Sequence, residues 1–407
     1  MTRYYLGVDW ADTEHAVWVG NEAGEEVMAR SVEHTPAGLG EFGRWLYERQ
    51  AEGIELWAAI EKPEGRVVDF LLDHGVVVYP VNPKALDRAR DRFRMSGAKS
   101  DGFDARVLAE FLRTDHPHLT PLMPSSARAQ ELKLLTRDYQ RLVRQQTRLV
   151  NQLTATLKEY DPRPLECFEE LTSAVAREFL RSYPTPEALA TLTPKAWQRW
   201  ARAQHVSQAR TVELWEALRA PQLSVPAHVV RAKARLVRVL VDELETVVRA
   251  VNEYRKAVDD FFTAMSEAEW ARSLPAGQSG TTVPTLWAEL GDAPGRWQGL
   301  RHLQAQAGAV PVTERSGKHQ FVHFRFACNT HLRYAVHLLA FLSLRQSEWA
   351  RAYYQRYRAR GHTHHQAVRA LGAKWLKIIF VMWDRQVPYN ENDHLAMIAR
   401  QQLRQVA

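Results

Sequence analysis

The order of short apolar segments in the first eighty or so residues constrains the fold more than any other feature of this chain. Tyr4–Val8 is apolar, His15–Val19 is apolar after one histidine, and Asn21-Glu-Ala-Gly24 makes a turn before Val27–Val32. Short apolar runs broken by turn residues read as strands. A helix follows over Leu39–Gln50, then a buried strand over Ile54–Ile60 that ends at Glu61. Gly65–His74 reads as helix, Val76–Val81 as strand, and Asn82-Pro83 opens a helix running towards Met95, with another over Gly102–Thr114. Strands joined by tight turns pair antiparallel, whereas strands joined through helices pair parallel. The first third of the chain is therefore expected to be an α/β domain.

That order, three antiparallel strands and then alternating helix and strand, resembles an RNase H-like domain. The remainder reads as all-α. From Ser126 to Tyr160 apolar residues recur at Leu132, Leu135, Tyr139, Leu142, Leu149, Leu153 and Leu157. A second run has Leu240, Leu244, Val247, Val251, Tyr254, Val258 and Phe261. Three-four spacing over such lengths predicts two long helices with one apolar seam each, packed antiparallel in one chain or across a dimer as a coiled coil. Between them, 161–226 carries prolines and tryptophans (Tyr183-Pro-Thr-Pro186, Trp197, Trp200) and reads as an inserted helical lobe. From Leu274 on, a loop at Pro275–Gly280 precedes a helical turn over Thr285–Leu290, a helix over Leu303–Ala309 and a loop over Val312–Lys318. Helices are expected over Thr330–Leu344, Ser347–Arg358, His364–Ala370 and Lys374–Arg385. The expected division is 1–120, 121–270 and 271–407.

A length of 407 residues exceeds one ordinary hydrophobic core, which agrees with several domains. The formal charge of +7 favours a polyanionic partner. Cys167 and Cys328 are far apart and in no CxxC pair, so neither a disulfide framework nor a cysteine zinc site is indicated. The N-terminal MTRYYLGVDW lacks a signal-peptide core, and the apolar run Ile378–Trp383 is far short of a membrane span. The expected location is cytoplasmic, and nucleoid-associated when bound to DNA.

Four acids stand out by position. Asp9 ends the first strand, Glu61 ends the fourth, and Asp101 and Asp104 open a helix. The ends of neighbouring parallel strands lie side by side, and an i, i+3 pair shares one helix face. Converging carboxylates repel unless cations neutralise them, and oxygen donors suit Mg²⁺. Two such ions can clamp the attacking and leaving oxygens of a phosphodiester displacement. Taken singly, Asp9 also suits a turn, Asp101 an N-cap and Asp104 a solvated helix acid. Asp12, Glu14, Glu64 and Asp69 read as solvated.

A second candidate is Val312-Thr-Glu-Arg-Ser316-Gly317-Lys318. Glycine lets backbone approach a phosphate, and Arg315 and Lys318 can hold one. Serine is a poor nucleophile without a base or metal, so Ser316 either joins the carboxylate site or is a plain turn serine.

Gly7-Val8-Asp9, Ile60-Glu61 and Lys99-Ser100-Asp101-Gly-Phe-Asp104-Ala105-Arg106-Val-Leu-Ala-Glu110 resemble the RuvC-like domain of the DEDD-type insertion-sequence transposases. Ala307-Gly308-Ala-Val-Pro311-Val-Thr-Glu-Arg-Ser316-Gly317-Lys318, followed by Cys328-Asn329-Thr-His-Leu332-Arg333, resembles that family's C-terminal transposase domain. The resemblance implies a recombinase guided by a structured non-coding RNA, the bridge RNA, that pairs with donor and target DNA. It implies that Asp9, Glu61, Asp101 and Asp104 bind two Mg²⁺ ions and that Ser316 forms a covalent 5′-phosphoserine link. It further implies a composite site built across a homodimer, the coiled coil as a dimer element, and a tetramer in the synaptic complex. The chain departs from the family at Lys62-Pro63-Glu64-Gly65 and at Pro275-Ala-Gly-Gln-Ser-Gly280, and neither departure removes a proposed catalytic group.

Arg88, Arg90, Arg92, Arg94 and Lys99 cluster before Asp101, and with Arg106, Arg315, Lys318 and Arg333 they are candidate nucleic-acid contacts. Asp87 and Asp91 also fit a solvated helix face there. Arg345, Arg351, Arg356, Arg358 and Arg360, interleaved with Tyr353, Tyr354 and Tyr357, suit unpaired bases or a helical core. His362-Thr-His364-His365 is a weak metal tract. The rival to a serine–metal recombinase is a RuvC-like metal-dependent junction endonuclease, which needs only the carboxylates. An ATPase of the actin–sugar-kinase type lacks its second glycine-rich loop here, and a non-catalytic binder leaves the ordered acids unexplained.

Overall fold

The computed structural model describes residues 2–93, 100–278, 280–316 and 319–406. Contacts divide the chain in two rather than three: one compact unit ends at Ser125 and the other begins at Ser126.

The first unit opens with β1 (Arg3–Trp10), β2 (Glu14–Gly20) and β3 (Glu26–Glu33). Then come α1 (Pro36–Ala51), β4 (Glu55–Ile60), α2 (Arg66–Asp73), β5 (Val77–Pro80), α3 (Pro83–Phe93) and α4 (Asp101–Asp115). The sheet order is β3-β2-β1-β4-β5, antiparallel through β3, β2 and β1 and parallel through β1, β4 and β5. Strand alternation sorts the two faces. Leu6, Val8, Ile60 and Ala58 pack with Phe42 and Leu46 of α1 and Leu71 of α2. Tyr5 and Ala59 pack on the other face with Leu86 of α3 and Leu108 and Leu112 of α4. By the same parity Gly7 and Asp9 belong to the α4 face, as does Glu61 just past β4. Gly7 is glycine for a steric reason: a Cβ there would lie 1.8 Å from the carbonyl oxygen of Ala105. That close seat draws the start of α4 over the end of β1.

The second unit begins with α5 (Ala127–Tyr160), 34 residues long. Five short helices follow: α6 (Arg163–Cys167), α7 (Ala174–Ser182), α8 (Pro186–Ala190), α9 (Pro194–Ala203) and α10 (Gln208–Leu218). Next is α11 (Ala227–Thr263), of 37 residues. The start of α5 (Ala129, Leu132) shares a core with the end of α11 (Val258, Phe262). Its far end (Leu153, Leu157) packs with the start of α11 (Val230, Val237), so the two run antiparallel within one chain. The short helices cap that far end through Phe179 and Trp197.

The other end carries α12 (Glu269–Arg272), α13 (Thr282–Leu290), α14 (Leu300–Gln306), strands β6 (Val312–Ser316) and β7 (His319–His323), α15 (Thr330–Gln346), α16 (Glu348–Ala359), α17 (His364–Arg385) and α18 (Glu391–Val406). Leu286, Leu303, Leu332, Leu339, Leu371 and Trp375 join one core with the first turns of α5 and the last of α11. Glu289 has no exposed surface, and its carboxylate takes Arg137 Nε at 2.7 Å and Asn329 Nδ2 at 2.7 Å. Burial alone would raise the Glu289 carboxyl, but the Arg137 guanidinium holds it below the usual range.

Three expectations need correction. The stretch from Val312 is not a loop but the first strand of an antiparallel hairpin, in which Ser316 pairs with His319. The two helices expected on either side of Gly372 are one, because Gly372 sits against α15, where a Cβ would come 3.0 Å from Val336. Helix α18 was not foreseen.

Candidate active site

The carboxylates gather where β1, β4 and α4 meet. Val8 and Ile60 are the last paired residues of the two parallel strands, so Asp9 and Glu61 leave the sheet side by side. Ser100 caps α4, its hydroxyl accepting from the backbone N–H of Phe103 at 3.3 Å. This places Asp101 and Asp104 in the first turn, where the helix dipole favours negative charge. Asp101 and the residues beside it are exposed, whereas Asp104 is only 7% exposed.

Asp9 reports how closely the four converge. Its carboxyl is pushed up to about 6 by burial first, then by the charges of Asp104, Asp101 and Glu61, with Arg90 acting the other way. Carboxylates brought together repel one another unless a cation is near. The donors are all oxygen, which is the chemistry of a hard divalent ion. Among the described residues Arg90 pairs with one of them, holding Asp104 through Nε at 2.7 Å and a second guanidinium N–H at 2.8 Å, and it also bonds Asp87. Among the described residues no three His, Cys, Asp or Glu side chains close around one point as a ready metal cage. The acids suit such an ion in kind, and Asp104 is held by Arg90.

The other candidates disperse. Arg92 lies 3.7 Å from Asp115. The Arg106 guanidinium lies 5.9 Å from the ring centre of Trp18. Arg333 turns inward, donating to the carbonyls of Arg325 at 2.6 Å and Phe326 at 3.3 Å and to the sulfur of Cys328. Arg315 is exposed on β6 beside Ser316, which ends that strand in the second unit. Arg94, Lys99, Gly317 and Lys318 lie outside the described residues. Sequence reading missed the pairing of Arg90 with Asp104; only the arginine's place in the preceding helix hinted at it.

Comparison with known proteins gives the family. A family model described as transposase, of the DEDD type of IS110 elements, matches residues 6–162. A second, described as transposase of the IS116/IS110/IS902 family, matches residues 271–355. The mini-circle putative transposase for IS117 from Streptomyces coelicolor is 33% identical over 382 residues, 91% of this chain and 92% of that protein. The chain belongs to the IS110 family of insertion-sequence transposases. A putative transposase of Sinorhizobium fredii, y4uE, is 37% identical over 190 residues, 46% of this chain and 53% of its own length. The insertion element IS110 43.6 kDa protein of Streptomyces coelicolor is 26% identical over 391 residues, covering 93% of each chain. All four carboxylates of this IS110-family transposase fall inside the first matched segment, and Ser316 and Arg333 inside the second. No described helix of the transposase is long and apolar enough to cross a membrane.

Proposed function

We propose that this transposase cuts and rejoins DNA strands by a serine–carboxylate mechanism. The observation that carries the reading is the placement of Asp9 and Glu61 at the ends of neighbouring parallel strands with Asp101 and Asp104 in the first turn of α4, close enough that the other three raise the Asp9 carboxyl beyond what burial does. These four would hold Mg²⁺, which when bound supplies Lewis-acid stabilisation of charge on phosphodiester oxygens. Ser316 would be the nucleophile: its Oγ bonds to phosphorus as its proton leaves to a base, and the bond to the 3′ oxygen breaks. The 3′ oxygen takes up a proton and the strand stays joined to serine as a 5′-phosphoserine. Attack by a 3′ hydroxyl on that linkage rejoins DNA and restores the serine. Arg315 beside Ser316 suits a non-bridging phosphate oxygen.

A structured guide RNA, a dimer pooling carboxylates and serine, and a tetramer in the synapse belong to the same proposal. All three are supported by the family resemblance, and the RNA also by the basic charge of +7. The test is incubation with Mg²⁺, the RNA encoded beside the element and matched DNA, followed by denaturing electrophoresis. A protein–DNA adduct that disappears in both Ser316→Ala and Asp9→Ala supports the mechanism. Cleavage surviving Ser316→Ala without an adduct would mean a metal-dependent junction endonuclease instead.

A further inference from the structure

A cavity of about 480 Å³ opens in the second unit between α5, the first turn of α13 and α15. Tyr139, Gln140 and Arg144 of α5 face Thr282 and Thr285 of α13 and Tyr334 of α15 across it. Gln140 is 5% exposed. One end of its amide meets a ring nitrogen of His331 at 2.5 Å, while the amide nitrogen, buried, has no partner. Such an orphaned donor is costly unless a bound group accepts from it. Tyr139, Tyr334 and Arg144 are near neighbours: burial, then Tyr139, raises the Tyr334 phenol, and Arg144 opposes them.

A second cavity, of about 360 Å³, shares Arg144 and Tyr334 in its wall and is lined further by Phe324, Arg333, His337 and Arg369. Arg333 lies 4.7 Å and Arg369 5.3 Å from the centre of the Phe324 ring. No Asp or Glu is among the described residues that line either cavity, and neither Arg144 nor Arg369 has a carboxylate partner among the described residues. Aromatic faces, unpaired cations and one buried donor are what an unpaired polynucleotide needs, with bases on rings and phosphates on guanidinium groups. A duplex presents no free base face.

We propose that these two neighbouring cavities bind a single-stranded nucleic-acid segment, with one base seated between Tyr139 and Tyr334 against Gln140, its phosphate on Arg144, and the strand passing on over Phe324. RNA and DNA share this chemistry. The site goes beyond the strand-transfer reading and does not depend on the carboxylates.

The test measures binding of short labelled single-stranded RNA, single-stranded DNA and the matching duplex by fluorescence anisotropy, in EDTA so that no metal chemistry contributes. Tyr334→Ala and Arg144→Ala alter exposed side chains, and circular dichroism checks their folding. Tyr334→Ala should weaken single-strand binding about tenfold and leave the duplex unchanged. Arg144→Ala should flatten the salt dependence by about one phosphate contact. A 2-aminopurine base in the strand should change its emission on binding wild type and not Tyr334→Ala. Preference for RNA or for DNA identifies the source of the strand. Single strands that fail to bind wild type, or that bind both variants equally well, would overturn the proposal.

Discussion

Arg90 grips both carboxylate oxygens of Asp104, at 2.7 and 2.8 Å, across fourteen residues of sequence. Both side chains are largely buried, 17% and 10% exposed, so the pair is a strong local contact and not a surface ornament. It also places one cation among the four acids. Arg90→Gln should destabilise the metal-free protein by about 3 kcal/mol, because Asp104 is left buried beside other acids. Mg²⁺ should recover that loss, since a released Asp104 can turn to an ion that binds the folded state. Thermal unfolding in EDTA and over a Mg²⁺ titration checks this. Equal Mg²⁺ shifts in variant and wild type would show that Arg90 does not compete for Asp104.

Asp9 makes stability pH-dependent in a direction opposite to that of most carboxylates. Its folded pKa of about 6 lies above the ordinary 3.8, so the folded state holds the proton more tightly than the unfolded chain. The contribution of Asp9 is therefore most favourable below pH 4, falls as pH rises, and is at its worst above about 6. Asp9→Asn should stabilise the metal-free protein by about 1–2 kcal/mol at neutral pH, allowing for partial solvent screening. The gain should vanish near pH 4, and strand transfer should be lost throughout. Urea denaturation at the two pH values reads the difference directly.

Gly7 has no room for a methyl group. Gly7→Ala would push a Cβ to 1.8 Å from the Ala105 carbonyl and 2.7 Å from the Ala109 nitrogen, both backbone atoms that cannot step aside singly. Helix α4 must lift, taking Asp101 and Asp104 with it. The expected cost is about 3 kcal/mol or more, visible as a lowered melting temperature, with divalent-ion affinity falling in the same variant.

In the second unit, Arg137→Ala takes the guanidinium from Glu289, which keeps the Asn329 bond but has no surface exposure. Removing one partner of a buried pair costs about 3–5 kcal/mol. With the arginine present, Glu289 titrates below its ordinary 4.5, so its contribution is full above that value and is lost as pH falls through the depressed pKa. Wild type should lose this increment only in acid, while the variant should be weak at neutral pH too. Unfolding curves at pH 7 and pH 3 separate them.

The first unit was legible because each strand carries its own pattern. Tyr4–Val8 and Ile54–Ile60 are apolar, and the ends of neighbouring parallel strands put Asp9 and Glu61 side by side. The β6–β7 hairpin was not legible, since all five residues of His319–His323 are exposed and no alternation between buried and exposed residues marks the strand. The unbroken α17 was hidden for a different reason: Gly372 reads locally as a breaker, and only the nearness of Val336 explains it. Helix α18 was missed although Leu395, Ala399 and Leu403 recur every four residues along it. The partner chosen by Arg90 is a tertiary fact, set by how α3 and α4 pack, and spacing could not reveal it.

The most direct test of the account is to digest the protein–DNA adduct formed with Mg²⁺, guide RNA and matched DNA, and to sequence the nucleotide-bearing peptide by mass spectrometry. The account predicts a 5′-phosphate ester on Ser316 and no adduct from Asp104→Ala. A linkage on any other residue, or an adduct that forms without the carboxylates, would contradict it.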